Sequence, residues 1–82
     1  MILGIFSVRD AKADCFTRPF VDHNDQTALR AWLQACRDPD TQFNKHPEDF
    51  TLYQVASFDD QTGVVTSFEL PALIGQAPTE ED

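Results

Sequence analysis

His46–Gly63, HPEDFTLYQVASFDDQTG, holds a defined start, a strand and a defined bend in one continuous run. His46-Pro47-Glu48-Asp49 is a proline-led turn. Proline suits the first helical position, and the two acids that follow suit the positive end of a helical turn. Thr51–Phe58 alternates as a strand, with Leu52, Ala56 and Phe58 on one face and Tyr53 and Val55 on the other. Asp59–Gly63 is a hairpin loop: the Asp side chains accept from local backbone N–H groups, and Gly63 supplies the left-handed conformation that rejoins the ladder.

Outward from this stretch, Val64–Leu70 is the returning partner strand, and Pro71 is expected to end it. Leu73 and Ile74 can dock on the body or on a second subunit. On the N-terminal side, Asp38-Pro39-Asp40 caps a further single turn ending near Phe43. The strongest helix lies before it. Leu29, Trp32, Leu33 and Cys36 recur at helical spacing behind the N-cap candidates Asn24 and Asp25, so residues 25–37 are predicted helical. Residues 2–9 read as a central strand, with Ile2, Phe6 and Val8 on one face and Leu3 and Ile5 on the other. Cys15–Val21 reads as a short edge strand, the one place where Pro19 is tolerated.

The predicted fold is α+β: a small three- to four-stranded mixed or antiparallel sheet, ordered β-β-α-β-β along the chain, with one main helix packed on one face. Residues 1–75 form one compact domain, and 76–82 are expected to be a disordered acidic tail. One helix cannot cover both faces of such a sheet. The second face is therefore expected to meet a partner, and a two-fold homodimer supplies one most simply.

Eighty-two residues with 41% hydrophobic content and seven Phe are enough to fold, although a domain this small buries only about 60–65% of the surface its unfolded chain exposes. The net charge of −8 repels phosphate and anionic lipid on average, so nucleic-acid contact requires a local basic patch. The apolar opening before Arg9 is too short for a signal peptide or a membrane span, and no membrane association is expected. Cys15 and Cys36 are too few for a disulfide scaffold and are expected as reduced thiols in a cytoplasm.

No set of residues forms a nucleophile with its base, so catalysis is not expected. His46 with Glu48 and Asp49 has the chemistry of metal ligands but reads as turn punctuation, and His23 beside Asp22 and Asp25 as helix entry. Asp59-Asp60-Gln61 lacks the alternation and the distal Glu of a calcium loop. Cys36 lies on the apolar helix stripe as an inert thiol, and Cys15 has no base nearby. No cofactor and no metal are expected. One cluster has the composition of a single-strand nucleic-acid platform: Arg9, Lys12 and Arg18 interleaved with Phe16 and Phe20, cations for phosphates and rings for bases.

SVRDAKADCFTRPF (7–20), DPDTQFNKHPEDF (38–50) and LYQVASFDDQTG (52–63) together resemble the small nonstructural protein of gokushoviruses, single-stranded-DNA bacteriophages of the microvirus group. The resemblance runs from Phe6 to Gly63. Its most specific parts are KHPEDFTL and FDDQTG, and Lys12, Pro19, Phe20, His46, Pro47, Asp49, Asp59 and Gly63 match the family pattern. It implies a non-catalytic protein outside the virion, working in the host cytoplasm at the replication-to-packaging step. The partners it implies are single-stranded phage DNA, the replication initiator or the procapsid. The net charge favours a different class, an acidic dimer that inhibits or mimics a host nucleic-acid-binding partner.

Overall fold

The computed structural model describes residues 1–79. Along the chain it runs β1 (Ile2–Asp10), β2 (Cys15–Phe16), β3 (Phe20–Asp22), α1 (Asp25–Arg37), α2 (Gln42–Lys45), a 3₁₀ turn (Pro47–Asp49), β4 (Phe50–Asp59) and β5 (Val65–Gln76). The sheet is antiparallel throughout. β1 lies between β4 on one side and β2 and β3 on the other, and β5 flanks β4. No helix among the described residues is long and apolar enough to cross a membrane.

The sheet has five strands rather than three or four because the predicted second strand divides. Phe16 pairs with Arg9 and Phe20 with Phe6, leaving Thr17–Pro19 outside the ladder. Thr17 fills the gap. Its N–H donates to the Val8 carbonyl at 2.8 Å and its hydroxyl accepts from the Val8 N–H at 3.2 Å, while the buried Ser7 donates to the Thr17 carbonyl at 2.6 Å. Both backbone groups of Val8 are thus satisfied by Thr17, one by its N–H and one by its hydroxyl, where Pro19 has no N–H to offer.

Helix α1 starts where its cap residues place it. Asn24 accepts from the Thr27 N–H at 2.9 Å, and the Thr27 hydroxyl answers from the other side, closing a capping box. Ala28, Trp32 and Cys36 are buried, and Leu29 and Leu33 flank them. They pack on Phe6 and Val8 of β1, Phe50 and Leu52 of β4, and Ala77 beyond β5, with Phe20, Phe43 and Ile74 at the margin. Phe43 meets Trp32 edge-to-face at 4.8 Å and Phe50 at 5.0 Å, so α2 closes the end of the core with aromatic contacts.

Three expectations require correction. β5 does not stop at Pro71 but continues to Gln76, because an edge strand does not need the missing proline N–H. Its register against β4 jumps: Ala56 faces Ser67 whereas Gln54 faces Ala72, so Phe68–Pro71 bulge out opposite Val55. That shift, and its counterpart between Ile5 and Phe6 of β1, interrupts the simple alternation: Leu52 lies in the main core, Ala56 is buried apart from it, and Ile2 is exposed. The ordered body also extends past residue 75. The Gln76 side chain donates to the Pro47 and Phe50 carbonyls, and Ala77 is buried with its N–H on Phe50 O. The expected acidic end, Glu80–Asp82, lies outside the described residues.

The β4–β5 bend takes the expected form. The Gly63 N–H reaches Asp59 O at 2.7 Å with φ of 78°, and the Asp59 carboxylate accepts from Gln61 N.

Candidate functional site

Cross-strand neighbours in an antiparallel sheet share a face. Arg9 pairs with Phe16 on one side and with Thr51 on the other, and Ser7 pairs with Tyr53. These positions lie on the face turned away from α1. There Phe16, from β2, meets Tyr53, from β4, across β1 with ring centroids 5.8 Å apart at 67°. The Arg9 guanidinium stands 5.9 Å from the Phe16 ring centroid, within cation–π range. Leu70 and Pro71, on the β5 bulge, complete an open groove of about 440 Å³ lined by Arg9, Phe16, Tyr53, Leu70 and Pro71.

The turn after β1 controls the charge of this groove. The Asp10 carboxylate accepts from the Lys12 and Ala13 amides, and Asp14 takes up a left-handed conformation with φ of 56°. Aspartate tolerates that region better than most residues. The Asp14 carboxylate is thereby brought within 2.6 Å of Arg9 Nη2. Its hydrogen bond raises the pKa of the already cationic guanidinium and offsets part of the Arg9 charge.

The five residues predicted for nucleic-acid contact therefore separate. Arg9 and Phe16 share the open face. Phe20 does not join them: its register partner is Phe6, the rings stack at 5.8 Å, and its role is packing at the core margin. Arg18 is exposed on the break between β2 and β3. Lys12 turns to a different cleft, of about 280 Å³, shared with Asp10, Gln42, His46, Glu48, Asp49 and Phe50. Tyr53 is the member that sequence reasoning assigned only to a strand. Its alternation phase within β4 was legible, but its alignment with Arg9 and Phe16 depends on the β1–β4 register.

The second cleft carries the only convergent set of metal-ligating side chains among the described residues: donor atoms of His46, Glu48 and Asp49 all lie within 4.8 Å of one another. The cysteines are apart in character. Cys15 is exposed on β2, whereas Cys36 is buried and its thiol is pushed up to about 11 by desolvation.

Compared with known proteins, residues 3–79 match the family model described as phage ORF5 protein. The comparisons with curated proteins and with solved structures give no significant match.

Proposed function

Because this chain belongs to the phage ORF5 protein family, and so is a phage protein, we propose that it is a non-catalytic accessory protein that binds single-stranded DNA on the open face of its sheet. The observation that carries this reading is the Arg9–Phe16–Tyr53 cluster: two partly exposed rings at 5.8 Å with a guanidinium beside them. Stacking on aromatic rings is indifferent to base identity, and a neighbouring cation engages the phosphates, which suits a ligand read as a strand rather than as a sequence. Arg18, exposed at the same edge of the sheet, extends the cationic track. The net charge of −8 keeps non-specific duplex binding weak and confines contact to this face. The finer assignment is to the gokushovirus type of phage, in the host cytoplasm and outside the virion, at the step from replication to packaging.

Fluorescence anisotropy with a labelled oligothymidylate tests it. Binding should appear at low ionic strength and weaken with salt, at a slope of about 0.7 per phosphate neutralised. Arg18→Glu should remove most of it. Absence of any salt-sensitive binding at low ionic strength overturns the reading.

A second reading rests on β5, where Val65, Leu70 and Leu73 are exposed, Leu70 at 79% and Leu73 at 66%. An apolar strip of this kind favours a protein partner: a second copy, the phage initiator or procapsid, or a host protein that the acidic surface inhibits. Sedimentation and capture from infected cells separate these from DNA binding.

A further inference from the structure

We propose that His46, Glu48 and Asp49 form a binding site for a first-row divalent cation, Zn²⁺ being the best fit. One imidazole and two carboxylates provide three donors of the types zinc takes, and the two negative charges neutralise the ion. An imidazole nitrogen in the set disfavours Mg²⁺ and Ca²⁺, which prefer oxygen alone. The donor atoms lie within 4.8 Å of one another. Ligands held at about 2.1 Å from a tetrahedral ion stand about 3.4 Å apart, so modest rotation of the exposed His46 and Glu48 side chains closes the set.

What separates this cluster from a chance gathering of surface charge is the backbone beneath it. The His46 N–H donates to Gln42 O at 2.8 Å and the Asp49 N–H to His46 O at 3.0 Å, while Asp49 O accepts from Ala11 N at 2.8 Å and Pro47 O from Gln76 Nε2 at 3.1 Å. Residues of α2, of the turn after β1 and of the end of β5 thus hold the segment, and Pro47 fixes its first turn. The donors are carried on a rigid support, which is what a metal site requires. The cleft they border has Phe50 in its wall and Asp10 and Gln42 facing them. Metal ligands are commonly steadied by polar neighbours, and Asp10 and Gln42 are polar side chains that share this cleft with them. Lys12 lines the same cleft. The site is separate from the Arg9–Phe16–Tyr53 groove and does not depend on the DNA-binding reading.

The test uses the full chain freed of metal by chelation, titrated calorimetrically with Zn²⁺ and, separately, with Co²⁺ followed by its visible absorption. The expected result is one ion per chain, with a Tm that rises on addition of Zn²⁺. His46→Ala and Glu48→Gln should each weaken binding at least tenfold and abolish the Tm rise. Both side chains are exposed and the bonds that fix the turn are backbone bonds, so the circular dichroism of these variants should be unchanged. His23→Ala should bind like the parent. Absence of saturable binding in the micromolar range, unchanged affinity in His46→Ala, or an equal loss in His23→Ala overturns the site.

Discussion

Phe16 and Tyr53 belong to strands that never pair, yet their rings meet at 5.8 Å over β1, because Arg9 and Ser7 of that strand set the register on both sides. The contact exists only when three strands are in place. It gives the otherwise acidic domain a surface on which rings and a cation stand together, and it frames the first prediction.

Phe16→Ala and Tyr53→Ala should each weaken single-stranded DNA binding. Loss of a base stack costs about 1–3 kcal/mol, a roughly five- to hundredfold change in anisotropy-measured Kd. Asp14→Asn should act in the opposite direction. Asparagine keeps the left-handed backbone and removes the carboxylate 2.6 Å from Arg9, so affinity should rise at low salt and the salt slope should steepen.

Gly4 sits under Phe6, and a Cβ at this position would lie 2.5 Å from the Phe6 ring. Phe6 is fully buried and stacked on Phe20, so the ring has little room to move. Gly4→Ala should therefore cost about 1–3 kcal/mol in urea unfolding, as overpacking does. Leu52→Ala, which empties the other fully buried large side chain, should cost about 2–5 kcal/mol.

Asp22 ties β3 to the start of α1. Its carboxylate accepts from the Thr27 hydroxyl at 2.7 Å and from the His23 N–H at 2.7 Å, and these bonds, the hydroxyl first, hold its pKa below the usual carboxylate value. The folded state therefore gains stability from Asp22 above the unfolded value of about 3.9, and loses it as pH falls from there through the lower folded value. Urea midpoints of the parent and of Asp22→Asn should differ at pH 6 and converge near pH 2. Asn24→Ala, which removes the cap itself, should cost about 1 kcal/mol at neutral pH.

The two thiols should differ in accessibility to a thiol reagent. At pH 8, Ellman's reagent should label one thiol of the native chain, Cys15, which is exposed. Cys36, pushed up to about 11 by burial, should react only after denaturant is added. Rapid labelling of both thiols in the native state would mean that the Ala28–Trp32–Cys36 face of α1 is not packed.

What lay within a few residues was legible in the sequence. Asn24 caps α1 by accepting from an N–H three positions on, Pro47 opens its turn, and Gly63 turns the hairpin, each through a bond between near neighbours. Helix 25–37 and the hairpin follow from those bonds and from apolar spacing. Such local interactions are set by residue type alone.

The tertiary structure decided the rest, because strand register is a choice among distant partners with similar local cost. The jump that throws Phe68–Pro71 out opposite Val55, the docking of Ala77 under Phe50, and the division of Cys15–Val21 around Thr17 all turn on satisfying backbone groups many residues away. The functional cluster was divided in the same way. Composition placed Arg9, Lys12, Phe16, Arg18 and Phe20 together, but pairing turned Phe20 inward against Phe6, carried Lys12 to the His46 cleft, and brought Tyr53 to Phe16. The sequence determined which residue types were present; the β1–β2 and β1–β4 registers determined which of them share a face, because a shift of one residue exchanges the two faces of a strand.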